Sequence, residues 1–413
     1  MQTPRQTPGP GHPEPRGPAR PPLASARAAI GQIPSSKIRE IANAGMGVAD
    51  VLAFWFGEPD QVTPAFIRDA ASASLARGET FYTQNLGIPE LRDAIAAYVT
   101  RLHAPVPAAR IAVTASGMSA LMLTVQALVD PGDRVVAVTP LWPNLIGVPR
   151  ILSADVERVS LSFGPSGWSL DVDRLLAALT PGTRALLLNS PNNPTGWTID
   201  RQAQRAVFDH CDRHGIWIVA DDVYERLYYG EDAACAPSFL DFAHEGARLV
   251  STNSFSKAWM MTGFRLGWVV APAALMTDIG KLIEFNTSCS PAFVQHAGVA
   301  AITQGETTVA ATRARFRHAR DRLIADLQGI PGVQAATPQG AMYALFRVAG
   351  VDDSLAFCKR LVAEARLGLA PGSAFGPDGE GFVRWCFAAA DARLDEGVAR
   401  LGRFLESRQD RAA

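Results

Sequence analysis

Six short, uninterrupted apolar runs constrain this chain most: residues 111–113, 135–138, 185–188, 216–220, 249–251 and 266–270. Continuous apolar blocks of this length, without period-two alternation, suit strands covered on both faces. Helical patterning at 119–129, 171–179 and 201–213 falls between several of them. Each has turn punctuation nearby: Asp130-Pro131-Gly132-Asp133, Pro181-Gly182 and His214-Gly215. Strand and helix in alternation predict an α/β architecture around a largely parallel sheet. After about residue 290 the pattern changes. Amphipathic segments at 291–303 and 308–328 precede short strands near 341–347 and 382–388, then helices at 353–365 and 391–407. These predict a smaller α+β domain, which a helix over 34–44 joins from the N-terminal side.

Composition removes several classes of function. With 39 Lys+Arg against 40 Asp+Glu, a net charge of −1 lacks the basic excess of a general nucleic-acid or membrane binder. No apolar run approaches the roughly 20 residues of a membrane span, and the N-terminus has no apolar signal region. The cysteines at 211, 235, 289, 358 and 386 are odd in number and form no C-x-x-C, so reduced thiols in a cytoplasmic protein are expected. Residues 1–22 hold eight of the 29 prolines and too little apolar surface to offset ordering entropy. A disordered tail is therefore expected over 1–30.

In open parallel sheets, ligands bind beyond the carboxyl ends of the strands. Polar groups gather there in this sequence: Ser116-Gly117-Met118 after the first run, Asn192-Asn193 after the third, Asp221, Asp222 and Tyr224 after the fourth. Asn253, Ser254, Ser256 and Lys257 follow the fifth, and Arg265 opens the sixth. The lysines sharpen the pattern, because the 39 cations are 35 arginines and only Lys37, Lys257, Lys281 and Lys359. Three of these sit in helix-like surface segments. Lys257 lies in a polar loop between two buried strands, where a lysine does what arginine cannot: lose its proton and act as a nucleophile or Schiff-base amine.

Six stretches in order carry a resemblance: Gly57-Glu-Pro-Asp60, Tyr82-x4-Gly87-x-Pro-Glu-Leu-Arg92, Ser190-Pro-Asn-Asn-Pro-Thr-Gly196, Asp221-x2-Tyr224, Ser254-x-Ser-Lys257-x7-Arg265 and Arg384-x2-Phe-Ala388. From about residue 33 onward the chain resembles the class I/II aminotransferases of pyridoxal 5′-phosphate (PLP) fold type I, the aspartate aminotransferase-like group. The resemblance implies a large PLP-binding domain over 61–300, with a mostly parallel seven-stranded sheet flanked by helices. It also implies a smaller α+β domain drawn from both termini, 31–60 and 301–413. Lys257 would form the aldimine with PLP and move the substrate's proton. Asp221 would pair with the pyridinium nitrogen, while Tyr224 and Asn193 would hydrogen-bond the ring hydroxyl. Backbone N–H groups of Ser116, Gly117 and Met118 at a helix N-terminus would cradle the phosphate, with Ser254 and Arg265 completing the cradle. Trp142 would stack on the ring, Tyr82 would reach the phosphate of a partner subunit in a homodimer, and Arg384 would clamp the substrate α-carboxylate.

One departure bears on substrate. Where the family usually has a small residue two places before the glycine of Gly-Glu-Pro-Asp, this chain has Phe54-Trp55-Phe56-Gly57. Trp55, Phe56 and Gly57 line the substrate mouth on this resemblance, so an apolar or aromatic amino-acid donor is expected. The alternative is that these aromatics pack against the small domain. No arginine stands out as a clamp for a side-chain carboxylate. His210-x3-His214 has metal-ligand spacing but no third ligand, so no metal is expected. The glycines of 372–381 read as a surface loop near the substrate entrance. The activity implied is ping-pong amino transfer between an amino acid and a 2-oxo acid. A C–S β-lyase shares the same apparatus, and a PLP-sensing regulatory domain is the more distant rival.

Overall fold

A computed structural model describes residues 26–231 and 233–412. Most of the tail expected over 1–30 lies outside the described residues, and Ala28–Gly31 form a single helical turn. The main sheet has seven strands in the order Ile111–Thr114, Gly267–Val270, Leu249–Ser254, Trp217–Asp221, Thr183–Asn189, Arg134–Thr139 and Asp155–Ser160. Gly267–Val270 runs antiparallel to both neighbours, and the other pairings are parallel. Alternate side chains separate to the two faces: Val136, Leu186, Leu188 and Ile218 enter one apolar cluster, and Val135, Leu187, Val219 and Val250 enter another. Burial on both faces explains why these strands read as continuous apolar runs. The seventh strand, Asp155–Ser160, was not visible in sequence because it is an edge strand in which only Val159 is buried and the other residues are exposed or half-buried.

The strand at 249 extends through Ser254, further than the 249–251 expected. Asn253 and Ser254 therefore belong to the sheet, and Lys257 follows three residues beyond it. Because Gly267–Val270 is antiparallel, its amino end lies at the edge where its neighbours have carboxyl ends. Arg265, two residues earlier, is delivered to that same edge.

A second, antiparallel sheet orders Val333–Gln334, Tyr343–Val348, Phe382–Cys386 and Ala370–Pro371. The helix Lys37–Gly45 contributes Ile38, Ile41 and Ala42 to its apolar cluster. Leu52–Ala53 pairs in parallel with Leu367–Gly368. The Trp55 ring is the plug of this region, since a Cβ added at Gly45 or Gly368 would come within 2.6 or 2.1 Å of it. Glycine is required at both places by close approach.

The 372–381 segment is not an open surface loop. Gly372 and Gly379 are buried against each other's backbone, and a Cβ on either would sit 2.0–2.2 Å from the other's carbonyl oxygen. Phe375, 1 % exposed, packs inward. Among the described residues all five cysteines are free, and no helix is long and apolar enough to cross a membrane. The His210 Nε2 lies 2.8 Å from the carbonyl oxygen of Leu179.

Candidate active site

A cavity of about 400 Å3 opens at the polar edge of the main sheet, beside the second sheet. Every site residue expected from sequence lines it except Ser116 and Tyr82. Ser116 is buried and caps the helix Gly117–Leu128, its hydroxyl accepting from the Ser119 N–H at 2.9 Å. Tyr82 is 87 % exposed, as are its neighbour Phe81 at 83 % and Phe285 at 89 %.

One group of lining residues is built around Gly117. A Cβ there would meet the Ser254 Cβ at 2.8 Å, so the first N–H groups of the helix are held against the strand end. The Ser254 hydroxyl lies 2.9 Å from the Ser256 hydroxyl, and Arg265 Nη1 reaches the latter at 3.4 Å. Arg265 takes a left-handed backbone conformation, φ +53°. Helix N–H groups, hydroxyls and a guanidinium together make an anion cradle.

A second group surrounds Arg384, whose guanidinium lies between the Tyr343 and Phe375 rings, 4.5 and 4.8 Å from their centroids. It is 2 % exposed. Its Nη1 donates to Asn193 Oδ1 at 3.0 Å and its Nη2 to the Trp55 carbonyl, and its Nε has no partner. Asn193 is itself placed by Asn189, whose Oδ1 accepts from the Asn193 N–H at 2.7 Å while its Nδ2 donates to the Asp221 carbonyl at 2.8 Å. Tyr224 and Tyr343 share a 2.7 Å hydroxyl contact, and burial raises both phenols.

Lys257 donates its ammonium to the Gly57 carbonyl. Burial lowers its pKa to about 8, with Arg384 and Arg265 pushing the same way against Cys386 and Glu58. Asp221 is enclosed at the end of its strand. Burial raises its pKa to about 7, moderated by the Val223 N–H and by Lys257. Phe56 stands at the mouth with the Arg39 guanidinium 4.7 Å from its ring centroid. Trp142 is half-buried and directly precedes the helix Pro143–Ile151.

Behind Asp221, buried polar groups form a second layer. Asp222 Oδ2 accepts from Ser251 at 2.6 Å, Glu225 Oε1 accepts from Asn253 at 2.8 Å, and His103 lies 3.1 Å from both Glu225 and Asp241. Burial alone would lower the His103 pKa, but its two carboxylate hydrogen bonds outweigh this and raise it to about 10. The folded-state value lies above the ordinary histidine value of about 6.5. The stability contributed by His103 is therefore fully present below about 6.5 and lost as pH rises through about 10. Melting temperatures from pH 7 to 10.5 should fall more steeply for the natural chain than for His103→Gln. Parallel curves would contradict a charged His103.

Residues 49–401 match the sequence profile of the family Aminotransferase class I and II. The chain belongs to this family. An aspartate aminotransferase of Pyrococcus horikoshii is 33% identical over 378 residues, 91% of this chain and 95% of that protein. Aromatic-amino-acid aminotransferase 2 of Thermococcus litoralis is 30% identical, over 91% of this chain and 96% of its own length. The crystal structure of aspartate aminotransferase from Thermotoga maritima superposes with a TM-score of 0.85 at 32% identity, covering 92% of this chain and all of that one (100%). Within this aminotransferase, sequence reasoning missed Asn189, Tyr343, Phe375 and Arg39. Only Asn189 left a signal, as the polar residue directly after an expected strand.

Proposed function

We propose that this aminotransferase binds PLP through Lys257 and moves the amino group of an apolar or aromatic L-amino acid to a 2-oxo acid by a ping-pong mechanism. It would do so as a cytoplasmic homodimer in which Tyr82 completes the partner's site. On this reading residues 61–300 form the cofactor-binding domain, and 31–60 with 301–413 the smaller one. The observation that carries the proposal is Arg384: a buried guanidinium facing the cavity, bonded only to neutral groups. A buried cation is costly unless paired, and the missing partner matches an α-carboxylate.

The residues fit PLP. An anion cradle suits the phosphate, and a lysine of lowered pKa suits the Schiff-base amine. A buried carboxylate whose ionisation lacks a full ion pair suits the ring nitrogen. PLP, when bound, supplies an electron sink for charge developing at the donor's Cα. Arg384 and Asn193 would orient the donor's carboxylate. The Lys257 amine would take the Cα proton as a base, its value near 8 suiting transfer in both directions. Asp221 would keep the ring nitrogen protonated, and Tyr224, fixed by Tyr343, would hydrogen-bond the ring hydroxyl. Phe56 would shield the reacting atoms from water.

Adding a donor amino acid to purified holoenzyme, without acceptor, should bleach the visible cofactor absorbance and release one 2-oxo acid per site with the nitrogen retained. Ammonia released in step with the oxo acid would assign the chain to eliminating chemistry instead.

A further inference from the structure

The active-site cavity adjoins a second one. Ser36, Met118, Pro143 and Asn144 line both it and this second cavity of about 740 Å3. If Arg384 holds the carboxylate of a donor and Lys257 faces its amino group, the wall formed by these four shared residues is where the side chain leaves. Beyond them the walls are largely apolar, with Ile33, Met122, Ile146, Ile151 and Phe375 among the lining residues. One helix face runs along the route: Asn144, Gly147 and Ile151 are spaced i, i+3, i+7 on Pro143–Ile151. At 1.5 Å per residue these positions span roughly 10 Å along the second cavity.

The second cavity is also electropositive. Arg150 and Arg158 line it, and the Arg158 Nε is buried without a partner. Burial, and then the neighbouring Arg150, disfavour the charge on Arg158, with only Asp378 opposing. The acids nearby are already engaged. Asp378 Oδ2 accepts from the Thr139 hydroxyl at 2.8 Å, and Glu380 Oε1 accepts from the Ser354 and Gly381 N–H groups at 2.7 and 3.1 Å. Lys37 lines the cavity as well.

We infer that this second cavity receives the donor's side chain, and that the donor is an amino acid with a long apolar side chain ending in an anion. The inference rests on the aminotransferase reading above; it keeps the apolar side chain proposed there and adds a terminal anion to it. Holoenzyme assayed with alanine, 2-aminooctanoate and 2-aminosuberate should show kcat/KM rising about tenfold or more from the first to the second, and again to the third. Gly147→Leu supplies a blocking variant, since a Cβ at Gly147 meets nothing within 4 Å and leucine favours the helix. It should lower kcat/KM for both long donors about tenfold or more while leaving alanine unchanged. Arg158→Gln should erase the advantage of 2-aminosuberate over 2-aminooctanoate.

Faster turnover of alanine or aspartate than of either long donor overturns the inference. So does a Gly147→Leu effect shared equally by all donors, the pattern of a cavity filled by a second copy of the chain. Turnover of long donors untouched by Gly147→Leu overturns it too. No reaction with any donor removes the aminotransferase reading, and this inference with it.

Discussion

Replacing Lys257 by alanine is expected to abolish the visible absorbance of bound cofactor and to slow amino transfer by about 10⁴-fold, the upper range for a positioned proton-transfer group. Among the four lysines only Lys257 lines the cavity, so no neighbouring amine takes its place. Burial brings its pKa to about 8, leaving a usable neutral fraction near neutrality. Uptake of cofactor by the apoenzyme should therefore accelerate as pH rises through about 8. Lys257→Arg separates charge from chemistry, since a guanidinium keeps the charge but stays protonated. That variant should be as inactive as the alanine one. Retention of the absorbance band in either variant would place the covalent attachment elsewhere.

The second large effect belongs to Arg384. Substitution by lysine keeps a cation between Tyr343 and Phe375 but loses the planar fork that matches a carboxylate. Breaking one side of a buried charge pair costs about 2–5 kcal/mol, so kcat/KM should fall roughly 30- to 4,000-fold. Cofactor should still be bound, because Arg384 does not reach the anion cradle around Gly117. Activity within about threefold of the natural chain, for any amino-acid donor, would remove Arg384 from substrate binding.

How much of this was legible depended on where each residue gets its partners. Strands buried on both faces announced themselves as apolar runs, whereas Asp155–Ser160, half-exposed at the sheet edge, did not. Lys257 stood out because lysine is rare in this chain and because of the loop around it. Tyr343 lies 119 residues from the hydroxyl it contacts, and nothing in its own neighbourhood signals that partner. Arg39 reads as one more exposed helix arginine until the fold lays it over Phe56. Trp55 shows the limit from the other side. It lines the cavity, yet its ring packs against Gly45 and Gly368, so much of its bulk serves the second sheet's core. Phe56 remains the aromatic at the mouth.

The run 55–57 has one further property. The Trp55 carbonyl accepts from Arg384, which arrives on the second sheet, and the Gly57 carbonyl accepts from Lys257, which arrives from the edge of the main one. Two cations from different parts of the fold are thus tied to carbonyls two residues apart, on a segment pegged by the Trp55 ring. A ligand that draws one cation away cuts one tie and leaves the other in place. One short stretch of backbone thus sets where the two cations stand relative to each other.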